Sequence, residues 1–377
     1  MTKNLRGKSL GQLAWHRFRK DGAAMFGAVV IIVSVLLAIG AYTFIPDNSP
    51  NANRQIIELA AKKPGITFTF LKIPTGQADE SWSIGNLFTG TETNFQWITI
   101  HSHSWKNDSL IIERYTGDSP NNGEMIAFQA QRICPNGKDD CVAWVEHNSI
   151  VSQTFLLGTD RFGRDMLSRL VLGARISLSV GFIAVGISLL IGITLGALAG
   201  FFRGWIDKVV MWFVTVVWSI PLLLLVIAIT LAMGKGFWQV FVAVGMAMWV
   251  EVARIVRGQI LAIREKEFVE ACRALGFGEF RTIVRHILPN IMGPVIVISA
   301  ANFASAILIE AGLSFLGIGA QPPIPSWGSM IKDHYGYIIM DKAYLAIVPS
   351  FAILLMVLAF TLVGNGLRDA LDVKARD

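Results

Sequence analysis

Charged side chains are scarce in this sequence of 377 residues: Asp, Glu, Lys and Arg make up 16% of it, and 53% is hydrophobic. Soluble domains carry about 25% charged residues, so the shortage argues against an ordinary globular chain. Residues 22–44, 176–202 and 209–233 contain no charge of either sign. Each run exceeds the ~20 residues that cross a bilayer as a helix. A Gly-x4-Gly-Lys-Ser/Thr phosphate loop is also missing, which excludes ATP binding by that means. So are a Gly-x-Ser-x-Gly nucleophile elbow and a His-Glu-x-x-His zinc helix. No catalytic residue stands out, and no cofactor is expected in the chain itself. His101 and His103 alternate as two metal ligands on a strand would, but no third ligand stands at a recognisable spacing, so no metal is expected.

What is present is apolar sequence in span-sized blocks. Residues 237–250 continuing toward Arg254, 287–309 continuing toward Gly319, and 343–367 add three less clean candidates, giving six spans. The first run is longer than the 7–15 apolar residues of a cleaved signal, and no small-x-small site follows Phe44, so it reads as an anchor that stays. Residues 1–21, 203–208, 254–286 and 368–377 hold 18 Lys and Arg against 9 acidic residues, whereas 45–175 hold 12 against 14. Cytoplasmic segments carry the excess of Lys and Arg, so the four basic segments and both termini are expected inside. The pI of 9.3 then reflects topology and not nucleic-acid binding.

The exported segment, 46–157, is rich in alternating patterns, such as Thr67, Phe68, Thr69, Phe70 and then Gln96, Trp97, Ile98, Thr99. Period-two alternation predicts strands. Turns are expected at Asn121, Asn122, Gly123 and at Pro135, Asn136, Gly137, with a short helix at 54–62. Cys134 and Cys141 flank the second turn. A disulfide there would close a loop worth about 2–3 kcal/mol, the alternative being two free thiols. The fold class is therefore an all-α polytopic membrane protein with six transmembrane helices and a β-rich extracytoplasmic insert between the first and second. Its parts are 1–45 (tail and first span), 46–157 (insert) and 158–377 (five spans and the loop 254–289).

Residues 270–289, EACRALGFGEFRTIVRHILP, form a basic segment between apolar runs. Phe268, Cys272 and Leu275 share one side of a helix that Gly276 and Gly278 would end; a second helical stretch, 280–287, would run to Pro289. A plain basic connector would also fit. The pattern resembles the cytoplasmic loop of permease subunits of ATP-binding-cassette importers, written Glu-Ala-Ala, three residues, Gly, nine residues, Ile-x-Leu-Pro. Glu270, Ala271, Gly276, Leu288 and Pro289 match it; Cys272 replaces the second Ala, and His286 stands where Ile is usual. In that family the loop forms a coupling helix that seats in a cleft of the ATPase subunit.

Further stretches resemble the dipeptide- and oligopeptide-type permeases: Leu-Gly-Thr-Asp at 157–160, Gly-Arg-Asp at 163–165, Gly-Ala-Arg-x-Ser-Leu at 173–178, the segment 310–328, and 364–372. The resemblance implies a transmembrane subunit of an ATP-driven peptide importer in a bacterial inner membrane. Its partners would be a second homologous permease, two cytoplasmic ATP-binding subunits, an extracytoplasmic solute-binding protein and the lipid bilayer. The large insert departs from the shorter loop of the family. Thr159 or Asp160 is expected to cap a surface helix with Arg164, Arg169 and Arg175 on its polar side. Gly186, Gly192, Gly196 and Gly200 would allow close helix approach. Pro221 would kink the third span, for gating or for packing alone, and Glu310 is a candidate for an outer gate or a substrate contact. A receptor with an extracytoplasmic sensing lobe is the alternative, though it would need a cytoplasmic signalling module. An ion-coupled carrier is third, since neither an internal repeat nor intramembrane ionisable residues are evident.

Overall fold

A computed structural model describes residues 10–75, 85–91, 94–117, 119–134, 140–234 and 236–371. It is mostly helical, with a small sheet lobe at one end of the helices. The described part starts with α1 (Leu10–Phe18) and turns at Asp21, whose carboxylate accepts from the amides of Ala23 and Ala24 and so caps α2 (Gly22–Ile39).

The lobe follows. Strands β1 (Ile66–Pro74), β2 (Phe95–Lys106), β3 (Ser109–Arg114), β4 (Met125–Gln129) and β5 (Ile150–Phe155) form an antiparallel sheet in the order β4-β3-β2-β1-β5. The alternation in the sequence sorts its two faces. Phe68 and Phe70 pack with Leu59, Tyr115 and Phe155 on one side; Leu71 packs with Ile100, Leu110 and Val145 on the other. Val145 belongs to α3 (Cys141–Asn148), tied back by the disulfide between Cys134 and Cys141. Between 54 and 62 only a 3-10 turn forms, Ile57–Leu59. The turn at Asn122 and Gly123 is held by the buried Glu113 carboxylate, which accepts both amides. The other expected turn, at Pro135, lies outside the described residues.

The helical body is α4 (Met166–Phe202), α5 (Gly204–Trp218), α6 (Leu222–Met233), α7 (Phe237–Ile263), α8 (Glu267–Ala274), α9 (Leu288–Phe315), α10 (Trp327–His334) and α11 (Tyr344–Leu371). Among the described residues five helices are long and apolar enough to cross a membrane, or up to six if α5 and α6 count as one span. That pair is bent by 93°, more than the kink expected at Pro221. Proline has no N–H to give and biases its predecessor away from helix, so the chain turns through Ser219 and Ile220.

No separate surface helix precedes the second span. α4 runs unbroken for 37 residues from its cap at Asp165, which accepts from the Ser168 amide at 2.8 Å. Arg164 and Arg169, expected on a polar face, are buried instead. The buried Asp160 lies 2.6 Å from Arg164 Nε and 3.8 Å from Arg169 Nε, and so supplies the countercharge that makes burial tolerable. Arg175 donates to the carbonyls of Ala38 and Phe88, closing the end of α2. Gly192, Gly196 and Gly200 face α7 so closely that a Cβ would lie within 2.9 Å of Val252, Ala253 or Arg257; Gly186 faces open space.

Candidate functional site

The loop between α7 and α9 is built as helix, turn, helix. Glu267 and Glu270 occupy the first turn of α8 and Arg273 the last, which suits the helix dipole at both ends. At the far end Phe277 N–H donates to Cys272 O at 3.0 Å and Gly276 N–H to Arg273 O at 2.9 Å, a Schellman closure. That closure needs a left-handed residue, and Gly276 provides it at φ +75°. Phe277 is then clamped: the His286 ring stacks on it at 5.6 Å and Arg281 sits 4.5 Å from its centroid. His286 thus has a packing role in place of the usual Ile. Pro289 enters the first turn of α9 directly after a widened π-turn, Ile283–Ile287, which spares its ring a clash with the preceding turn.

The loop is anchored to the end of α4. Arg264 donates to the Phe201 carbonyl, Arg273 stands over the Phe201 ring, and Arg203 pairs with Glu265 at 2.5 Å. That hydrogen bond holds the Glu265 carboxyl below its ordinary range. Val269 and Cys272 face inward and are buried. Phe268 and Leu275 lie on the expected stripe with Cys272 but at its uncovered edge, because the body meets the helix on the Val269 side. Leu275 is 71% exposed and Phe280 80% exposed. Glu270 and Ala271 are exposed with them, and among the described residues Glu270 enters no ion pair. The pinned loop therefore offers an acid, Glu270, and two large apolar side chains, Leu275 and Phe280, to the outside.

The other singled-out residues lie elsewhere. Glu310 is buried in α9, accepting from Ser177 Oγ at 3.1 Å and Ser314 Oγ at 2.7 Å. Its contacts are hydroxyls that join α9 to α4. Pro221 lines a cavity of about 220 Å³ with Trp218, Leu225, Glu251 and Ser305. His101 and His103 bond separately, to Gly117 O and the Glu146 carboxylate, and no group of three metal ligands occurs among the described residues. Sequence reading passed over Glu251, an acid inside α7; its signal was a lone carboxylate in an otherwise apolar stretch.

Comparison with known proteins supplies the lineage. Residues 192–377 match the model of "Binding-protein-dependent transport system inner membrane component", and residues 9–62 match "N-terminal TM domain of oligopeptide transport permease C". The sheet lies between the two. The glutathione transport system permease protein GsiD of Pectobacterium atrosepticum is 40% identical over 67% of this chain and 83% of its own length. The dipeptide transport system permease protein DppC of Bacillus subtilis is 42% identical over 61% of this chain and 72% of its own. Among solved structures, an inward-facing MetNI methionine ABC transporter aligns with a TM-score of 0.46 and 20% identity, over 55% of this chain and 97% of that one.

Proposed function

The chain belongs to the family of binding-protein-dependent transport system inner membrane components, and we propose that it is the transmembrane permease subunit of an ATP-driven importer of peptides. Its spans are α2, α4, the bent pair α5 and α6, α7, α9 and α11. Both termini and the loop 254–289 face the cytoplasm, and the lobe faces outward. The charge asymmetry supports this orientation, and a disulfide in the lobe fits an oxidising compartment. A second permease, two ATP-binding subunits and an external solute-binding protein complete the assembly. The receptor reading is not favoured, because the relatives are named as transport permeases.

The observation that carries the proposal is the loop pinned to the end of α4, with Glu270 on α8 and Leu275 and Phe280 beyond it exposed. ATP binding closes the ATPase pair and draws the two permeases' loops together; α8 passes that movement through the Gly276 turn to the short helix Glu279–Thr282, which continues through the π-turn into α9. Glu270 is the charged contact, and truncating a buried, paired interfacial charge costs about 2–5 kcal/mol.

Peptide uptake by the assembled transporter tests this. Glu270→Ala and Gly276→Val are expected to insert normally and to lose both transport and substrate-stimulated ATP hydrolysis. Glu279→Ala, an exposed acid outside the matched positions, is expected to be mild. If all three import peptide like the parent, the loop is only a connector.

A further inference from the structure

Glu251 stands well inside α7, twelve residues before its end at Ile263, or about 18 Å at ~1.5 Å per residue. It therefore lies near the middle of a span. An acid at that depth is costly unless it meets water, a partner or a ligand. Glu251 and Arg254, one turn apart on the same face, are both exposed, and among the described residues neither enters an ion pair. Arg254 lies over the Trp218 ring at 3.9 Å, which holds its guanidinium against the wall. Both line a cavity of about 490 Å³ with Trp218, Ile255 and Ile298. Glu251 also lines the adjoining cavity at the bend beside Pro221 and Ser305. One acid and one base, unpaired and side by side in apolar walls, complement a small zwitterion.

We propose that Glu251 and Arg254 form an intramembrane site for a short peptide with free ends. The carboxylate receives the peptide's ammonium, and the guanidinium receives its terminal carboxylate. An extended dipeptide is about 7 Å long, within reach of neighbouring side chains on one helix turn. The bend of the broken span at Pro221 borders the site, since Trp218 and Glu251 line both adjoining cavities. This rests on the peptide-importer reading above.

The test uses the full assembly in lipid nanodiscs with Ser305→Cys as a reporter labelled by a small water-soluble maleimide. The parent chain, whose free Cys272 is buried, gives the background rate. A dipeptide at ~10 times its Kd is expected to slow labelling about tenfold, while its N-acetyl and C-amide forms are not. Glu251→Gln should abolish the advantage of the free peptide over the N-acetyl form. Equal protection by all three forms, protection by none, or a reporter that no reagent reaches because a partner fills the cavity would each overturn the site. Uptake of the same dipeptide by the parent assembly reports separately: import without protection sinks this site alone, and protection without import sinks the importer reading alone.

Discussion

Asp160 ties the entry of α4 together from a single buried carboxylate. Its carboxylate accepts from the amides of Phe162 and Arg164 and lies against two buried guanidinium groups. Removing that charge leaves Arg164 and Arg169 buried without a counterion, so Asp160→Asn is expected to cost about 3–5 kcal/mol. A fall in the detergent-solubilised melting temperature, with lower yield, would register it. The pair of Arg203 and Glu265 is shorter but exposed, with side chains 43% and 69% accessible; Glu265→Gln should cost less than about 1 kcal/mol. Gly276 poses a finer question. A Cβ there would meet nothing within 4 Å, so inside this chain only its φ of +75° resists substitution. Asn tolerates that region better than a β-branched residue does. Gly276→Asn should therefore transport appreciably better than Gly276→Val; equal loss in both would mean that a partner approaches the position closely. Gly163 differs, since its Cβ would sit 1.7 Å from the Ile56 carbonyl.

Among the elements, the lobe invites excision. The Gly65 amide donates to the Phe155 carbonyl at 2.8 Å, so the two ends of the sheet segment meet. Replacing residues 66–155 by a short Gly-Ser linker should leave the helical body and its ATPase partners assembled while lowering import, measured as uptake per assembled complex. Unimpaired uptake would make the lobe dispensable. The disulfide joins the segment before α3 to its first residue. Cys134→Ser with Cys141→Ser should destabilise the lobe by about 2–3 kcal/mol, visible as faster proteolysis within it. Strands were legible because Phe68 and Phe70 alternate with polar residues. What covers each face was not, since Leu59 and Val145 come from a turn before β1 and a helix between β4 and β5, and fold over residues far off in the chain, such as Phe155 and Leu71.

At the scale of the whole molecule, orientation is the proposal most cheaply checked. Asn107 holds a left-handed turn at φ +55°, so its neighbour Asp108, exposed at the same tip, is the better reporter. Asp108→Cys should react with a membrane-impermeant maleimide on intact cells; reaction only after permeabilisation would invert the model. Composition and charge-free runs by themselves determined that this is a helical membrane chain, because a bilayer demands a fixed length of apolar helix whatever it packs against. Spacing alone likewise located the loop, from Glu270 to Pro289. Tertiary structure decided which groups are inside. Arg164 and Arg169 read as surface residues until Asp160 folded beside them, and Phe268 and Cys272, neighbours on one helix stripe, differ in exposure because the body covers the stripe only at its Val269 edge. Burial depends on what arrives from elsewhere in the chain, and local periodicity carries no record of that.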